Sequence, residues 1–89
     1  MPAIAFTPNL QAHVACARRT VAGATVRAAL EAVFAENPRL RGYVLDEQGE
    51  LRRHMIIFVD GKIIQDRKSQ NDPVTQSSDI FVMQALSGG

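Results

Sequence analysis

The sequence is poor in cysteine and in aromatic residues. Its 89 residues include one cysteine, Cys16, so no internal disulfide can form and no oxidising compartment is implied. It has one tyrosine and no tryptophan, and its ten basic side chains are scattered along the chain, often in pairs such as Arg52-Arg53. Nucleic-acid-binding proteins concentrate basic charge on one face and add aromatic side chains on which bases stack. We therefore expect no nucleic-acid partner.

Long apolar runs and catalytic motifs are also absent. No apolar stretch approaches the roughly 20 residues that span a bilayer, and the N-terminus lacks the charged and apolar regions of a signal peptide. His13 and His54 have no cysteine or carboxylate at metal-ligand spacing. No Ser-His-Asp set or phosphate-binding glycine loop occurs. These absences predict a cytoplasmic protein without a metal site, a membrane partner or enzyme activity of its own.

The composition is that of a single globular domain. Apolar residues make up 46% of the chain and charged residues 21%, with a net charge of +1. At this length a second domain would leave neither half with a core. We predict one domain over residues 1–86 and a flexible tail over residues 87–89, because nothing holds the terminal glycines in place.

The segment from Thr25 to Glu36 has the clearest secondary-structure pattern. Thr25 can accept a hydrogen bond from a free backbone N–H and so cap a helix. Apolar residues then recur at helical spacing and form one stripe: Val26, Ala29, Leu30, Val33 and Phe34. Asn37-Pro38 ends the helix, because a residue before proline avoids helical dihedral angles.

Short apolar runs on both sides of this helix predict β-strands, and Asp60-Gly61 predicts a hairpin turn. The predicted strands are Ala3–Thr7, Val14–Val21, His54–Val59, Lys62–Ile64 and Ile80–Leu86. The sequence pattern predicts a connector without regular secondary structure over Leu40–Leu51. One helix with a single apolar stripe needs one sheet face to bury it. The predicted fold is therefore α+β: a mixed sheet of about four to five strands wrapped on one main helix, the β-grasp or ubiquitin-like fold.

Several segments spread over nearly the whole chain carry a family resemblance. They are Ala24-Thr25-Val26, Asn37-Pro38-Arg39-Leu40-Arg41, Gly49-Glu50-Leu51-Arg52-Arg53, Ile57-Phe58-Val59-Asp60-Gly61 and Ala85-Leu86-Ser87-Gly88-Gly89. With them the sequence resembles the MoaD/ThiS family of ubiquitin-like sulfur-carrier proteins. Members with a similar Gly-Leu-Arg-Arg connector carry sulfur for cysteine or related biosynthesis, and the pattern is closest to that branch. Gln84, where the family often has proline, is a departure.

The resemblance implies a function for the last three residues. In this family an E1-like enzyme uses ATP to adenylate the terminal carboxylate, and a sulfur donor then displaces AMP to leave a thiocarboxylate. Carried over to this sequence, the modified residue is Gly89, and Gly88 and Ser87 form the segment threaded into the enzyme. The carrier itself binds no cofactor. The implied partners are an E1-like adenylyltransferase/sulfurtransferase, a sulfur-accepting biosynthetic enzyme and a JAMM-type metalloprotease.

Glycine suits this end on physical grounds. An adenylating site must enclose the carboxylate closely to exclude water. Gly88 and Gly89 have no side chains and wide backbone freedom, so a narrow channel can admit them. On this view the protein contributes no catalytic side chain and acts as a protein-sized substrate.

A docking face follows from the alternation of side chains along strands. If Met55 and Ile57 face the helix, Ile56 and Phe58 face away, and in the last strand Phe81 and Met83 face away with them. An exposed apolar patch usually marks a partner site. The predicted patch comprises Ile56, Phe58, Phe81 and Met83. In similar proteins this sheet face contacts the activating enzyme. The alternative is that connector residues such as Tyr43 cover it.

Two other functions fit the same sequence. A ubiquitin-like modifier would use an activated Gly89 to form an amide with a lysine of another protein. A binding module or regulatory subunit would have a chemically inert tail, and the two terminal glycines would have no function. Among sulfur carriers, the acceptor pathways that stay open are cysteine, molybdopterin and thiazole synthesis.

Overall fold

The computed structural model describes residues 1–6 and 18–84, and within them the chain forms one mixed sheet. Its strands are β1 (Ala3–Phe6), β2 (Arg19–Thr20), β3 (Met55–Val59), β4 (Lys62–Ile63) and β5 (Asp79–Gln84). Their order in the sheet is β2-β1-β5-β3-β4. Strands β1 and β5 are parallel, and the other neighbours are antiparallel. This arrangement around a long helix confirms the predicted β-grasp fold.

The long helix, α1 (Val26–Glu36), begins and ends where the sequence predicts. Thr25 is its N-cap, and the Thr25 Oγ1 accepts a hydrogen bond of 3.1 Å from the Ala28 N–H. The five residues of the predicted apolar stripe are all buried: Val26, Ala29, Leu30, Val33 and Phe34. The stripe therefore packs on the sheet, as one face of an amphipathic helix must.

A second helix, α2 (Pro38–Val44), occupies the first part of the predicted connector, so that prediction was wrong for these residues. Pro38 ends α1 but also starts α2, because a first helical residue needs no backbone N–H. Leu40 and Val44, four residues apart, are fully buried on the side of α2 that faces the core. Gly42 between them is a poor helix former and hides this short pattern.

The loop that follows β4 is bonded to the start of α1. Gln70 is fully buried; its backbone oxygen accepts the Arg27 N–H at 2.7 Å, and its side-chain oxygen accepts Arg27 Nη1 at 3.0 Å. The Val26 N–H donates to the Asp72 oxygen at 3.0 Å. The first N–H groups of a helix have no partner within the helix, and this loop supplies partners for two of them.

The carboxylate of Asp66 stabilises the turn within the same loop. It accepts the backbone N–H groups of Ser69 at 3.0 Å and Asn71 at 3.2 Å. These hydrogen bonds, led by that from Ser69, lower the pKa of Asp66 because they favour its charged form. A lowered pKa means that this contribution to stability is present at neutral pH and is lost as the pH falls through the pKa of the folded state.

The turn between β3 and β4 is the predicted Asp60-Gly61 hairpin. Both residues have positive φ, 52° and 84°, as a two-residue type I′ turn requires. The turn sets the register, so that Val59 lies opposite Lys62 and Phe58 lies opposite Ile63. The hairpin prediction is confirmed.

One apolar core lies between the inner face of the sheet and the two helices. The sheet contributes buried residues at alternate positions: Ile4, Phe6, Met55, Ile57, Ile80 and Val82. Leu30 of α1 and Leu40 of α2 are 0% exposed and belong to the same cluster. Neither helix of the described ranges has the length and apolar character needed to cross a bilayer.

The two ends of the predicted domain are only partly covered by the structure. Of the predicted strand Val14–Val21, the described part contains β2, a two-residue strand paired with β1. The last strand begins one residue earlier than predicted, at Asp79. The domain boundary at residue 86 and the tail at residues 87–89 lie outside the described residues and stay predictions.

Candidate functional site

The candidate site is built around the carboxyl end of β5. This strand lies in the middle of the sheet, paired with β1 on one side and β3 on the other. Its last residue, Gln84, pairs with Met55, the first residue of β3. The predicted site residues Ser87, Gly88 and Gly89 lie beyond it, outside the described part of the chain. Five residues span at most about 18 Å when fully extended, so Gly89 can lie no further than that from the end of β5.

The outer face of the sheet, away from the helices, contains the four residues of the predicted docking patch. Ile56 lies directly opposite Met83, and Phe58 lies directly opposite Phe81. The two pairs form adjacent rows on one face. Phe81 is 39% exposed, and the other three are partly exposed. The structure brings these four residues together, and their docking role stays a prediction.

The alternative cover for this face does not lie on it. Tyr43 belongs to α2, whose buried residues Leu40 and Val44 lie in the core on the inner face. Tyr43 is itself 40% exposed. Phe81, in the middle of the patch, is 39% exposed, so neither α2 nor another described element fully covers it.

Ile63 extends the patch and was missed in the sequence. It lies opposite Phe58 on β4 and is 56% exposed. Ala5 of β1 lies opposite Phe81, so one apolar row crosses four strands. The signal for Ile63 was present, because a two-residue turn at Asp60-Gly61 fixes its register. The outer-face patch therefore comprises Ile56, Phe58, Ile63, Phe81 and Met83.

Charged side chains lie around the sheet rather than in the patch. At the hairpin end, Asp79 accepts an ion-paired hydrogen bond from Arg18 at 2.5 Å, and the Asp79 N–H donates to Asp60 Oδ1 at 2.9 Å. On the helix side, Glu31 pairs with Arg41, and Arg19 of β2 pairs with Glu36. All of these pairs are exposed or partly exposed and contribute little stability each. They leave the centre of the outer face apolar.

The described residues contain no obvious metal or small-molecule site. No three side chains of histidine, cysteine, aspartate or glutamate in residues 1–6 and 18–84 lie close enough to hold a metal ion. An open polar groove of about 280 Å³ lies between Asp46, Glu47, Gln48 and Arg52. None of the predicted site residues lines this groove.

Comparison with known families identifies the group to which the chain belongs. The model of the ThiS family matches residues 14–89, most of the chain and all of its C-terminal end. The chain belongs to the ThiS family. This membership confirms the resemblance to the MoaD/ThiS proteins. No curated protein sequence matches the chain.

Solved structures agree with this membership. SAMP1 from Haloferax volcanii is 25% identical, with a TM-score of 0.78 over 99% of this chain and 98% of that chain. A chain of the BexX/CysO complex from Amycolatopsis orientalis is 17% identical, with a TM-score of 0.85 and full coverage of both chains. CysO from Mycobacterium tuberculosis is 15% identical, with a TM-score of 0.82 over 97% of this chain and 100% of that one. At these identities, the two latter likenesses show the fold of a ThiS-family protein.

Proposed function

We propose that this ThiS-family protein is a sulfur carrier whose reactive group is the Gly89 carboxylate. One observation supports this most directly: the family match continues through Ser87-Gly88-Gly89 to the last residue. A tail that lies within the family match supports a role for it in the chemistry of the family. The proposal requires that Gly89 carries the free terminal carboxylate in the cell.

The proposed chemistry has two steps, both catalysed by an E1-like enzyme. A carboxylate oxygen of Gly89 attacks the α-phosphorus of ATP, and pyrophosphate leaves. A carboxylate is a poor electrophile, and the acyl-adenylate gives it a good leaving group. A hydrosulfide-level sulfur nucleophile then attacks the acyl carbon. AMP leaves with the bonding electron pair, a proton is released, and the thiocarboxylate remains on Gly89.

Two features of the fold support this proposal, the position of β5 in the sheet and the apolar patch on its outer face. Strand β5 is paired on both sides, so the chain that leaves it starts from a fixed point on the sheet. The outer-face patch lies on the same strand, at Phe81 and Met83, and can bury apolar area against a partner. The BexX/CysO complex shows that a protein similar in fold assembles with another protein. We propose that the E1-like enzyme docks on the patch while the tail enters its active site.

Replacing Phe81 with aspartate is expected to weaken this docking. Phe81 is 39% exposed and adds to the patch rather than to the core, so the charge should be tolerated in the free protein but costly to bury in a complex. We expect the KM for the carrier in ATP–pyrophosphate exchange to rise at least about tenfold, since burying a charge without a partner costs more than 1.4 kcal/mol. The melting temperature should change little.

Tyr43→Asp is the matched control for this variant. Tyr43 is an aromatic residue of nearly the same exposure, 40%, on helix α2 instead of the outer face. The Tyr43→Asp variant should have a KM close to that of the unaltered protein. Global unfolding of Phe81→Asp would show that Phe81 belongs to the core, and an equal KM for both variants would contradict docking through the patch.

The second candidate function is a ubiquitin-like modifier. The two functions differ in what Gly89 transfers: a carrier donates sulfur, whereas a modifier forms an amide with a lysine of another protein. SAMP1, the small archaeal modifier protein 1, is a relative at 25% identity, so this candidate has direct support. Intact mass of the protein purified from its own host separates the two. A thiocarboxylate adds about 16 Da, the difference between sulfur and oxygen. Larger conjugates that contain a lysine of another protein would indicate the modifier instead.

Deletion of Gly88-Gly89 is the control for the mass measurement. The shortened protein should show neither the added mass nor conjugates, while the unaltered protein shows one of them. If neither form carries an adduct and the deletion has no cellular phenotype, the carrier proposal is wrong. The Gly49–Arg53 connector leads us to favour cysteine or related biosynthesis as the pathway that receives the sulfur. Molybdopterin synthesis and thiazole synthesis are the alternatives. We propose that the protein acts in the cytoplasm.

A further inference from the structure

The arginine side chains differ in whether they form an ion pair or a hydrogen bond within the protein. Most of those in residues 1–6 and 18–84 bind a carboxylate or a backbone carbonyl. These engaged residues are Arg18, Arg19, Arg27, Arg41, Arg52 and Arg67. Within the same ranges, Arg39 and Arg53 form neither an ion pair nor a hydrogen bond through their side chains, and both are exposed. These two guanidinium groups are available to a partner.

Arg53 is held in a turn at the corner from which the tail leaves. The Arg52 carbonyl accepts the Met55 N–H at 2.9 Å and the Arg67 guanidinium at 2.8 Å. Arg53 and His54 are the two central residues of this turn, and both are exposed. Met55, the next residue, pairs with Gln84 at the end of β5. The backbone that carries Arg53 is therefore fixed beside the last described residue of the chain.

The tail length brings any enzyme that acts on Gly89 close to this corner. Residues 85–89 span at most about 18 Å, so the entrance to an enclosed active site that holds Gly89 must approach the end of β5. The wall of that entrance can then come close to the Arg52–Met55 turn, because Met55 pairs with the last residue of β5. At physiological salt, two charges interact when they are within about 8 Å of each other. A charged group on the enzyme that comes this close to the turn would therefore interact with Arg53.

Charged side chains of both signs lie near the Arg52–Met55 turn, where Asp46 and Glu47 line a groove with Arg52. The side chains of residues 85–89 are uncharged, and the outer-face patch is apolar. The carboxylates of the sheet, Asp60 and Asp79, lie at the hairpin end, where Asp79 already binds Arg18. Arg53 is an exposed basic side chain close to the end of β5 that binds no carboxylate or carbonyl within residues 1–6 and 18–84. A partner that fits this corner presents a carboxylate to it.

We propose that Arg53 is a docking residue that pairs with a carboxylate at the rim of the active-site channel of the enzyme that activates Gly89. This inference rests on the proposed function, because it assumes that an enzyme receives the tail. The pair lies at the edge of the interface, outside the apolar patch. A rim charge mainly affects the rate of encounter and its salt dependence, and selects partners with the complementary charge.

ATP–pyrophosphate exchange with the E1-like adenylyltransferase of the host organism tests this pairing. Arg53→Glu should raise the KM for the carrier about tenfold at low salt and leave kcat unchanged, because it replaces an attraction with a repulsion. The difference should shrink between about 0.01 M and 0.15 M salt, where the Debye length falls from about 30 Å to about 8 Å. Arg53→Lys, which keeps the charge, should restore most of the activity.

Arg39→Glu is the matched control, since it makes the same change of charge at the other unengaged arginine, on α2. It should leave the KM near that of the unaltered protein. Equal KM values for Arg53→Glu and the unaltered protein would overturn the inference, and so would equal losses for the two charge reversals. Absence of exchange with the unaltered protein would instead overturn the proposed function and the inference with it. Circular dichroism melts should show that all variants are folded.

Discussion

Replacing Gly89 with alanine is expected to slow adenylation about 100-fold while the fold stays intact. The added Cβ would sit next to the carbon that reacts, inside a channel that must exclude water. A displacement of about 1 Å at a reacting centre can cost about 100-fold in rate. The core lies within the described residues, before the tail, so the thermal transition should not move. Pyrophosphate exchange and a circular dichroism melt measure the two quantities.

Ser87→Ala is the matched control for the tail. It removes a hydroxyl from a residue that already has a Cβ and lies two positions before the reacting carboxylate. We expect adenylation close to that of the unaltered protein. Normal turnover of Gly89→Ala would refute the argument from channel width and would favour a glycine requirement elsewhere, such as conformational freedom at Gly88.

Replacing Leu30 with alanine is expected to cost roughly 2–5 kcal/mol of stability. Leu30 is 0% exposed in the middle of α1, and its removal leaves a cavity between that helix and the sheet. Alanine is a good helix former, so the loss comes from packing and not from helix propensity. For a domain of this size each kcal/mol moves the melting temperature by about 4–8 °C, which predicts a fall of roughly 8–40 °C.

Ile63→Ala provides the comparison for this loss. It removes an aliphatic side chain of similar size at a position that is 56% exposed. Substitutions at exposed positions usually change stability by about 0.5 kcal/mol or less. Thermal or urea unfolding followed at 222 nm measures both variants. Similar shifts for the two variants would show that Leu30 makes no special contribution to the core.

The elements that the sequence predicts best are those whose pattern is local. Helix α1 repeats its apolar residues over three turns and has a capping threonine, so both its position and its buried face could be read. The Asp60-Gly61 turn likewise depends on two adjacent residues. Strand alternation placed Ile57 inside and Phe58 outside because successive side chains point to opposite faces.

Other elements depend on contacts between distant residues. Helix α2 has seven residues, too few for periodicity to outweigh Gly42 and the Asn37-Pro38 break. The parallel pairing of β1 with β5 joins the two ends of the chain, and no local pattern specifies it. The β-grasp fold could be predicted because one helix stripe needs one sheet face, while the strand order came from the structure.

The composition of the outer-face patch was largely predictable, and the absence of a bonding partner for Arg53 in the described ranges was not. Four patch residues follow from alternation, and Ile63 follows from the hairpin register. Arg52 and Arg53, by contrast, look alike in the sequence. They differ because the Arg52 Nε donates to the Gly42 carbonyl at 2.7 Å, whereas Arg53 has no such neighbour in the described ranges. Which arginine is available depends on where carbonyls and carboxylates lie in space.

The central place of β5 has a mechanical consequence. A force applied to the chain beyond Gln84 passes to β5. That strand is bonded along its length to β1 over four residue pairs and to β3 over five. A pull along the strand axis loads these hydrogen bonds in shear, many at once, instead of opening them one at a time from an edge. The two-residue strands β2 and β4 can therefore fray at the edges without loosening the tail from its anchor.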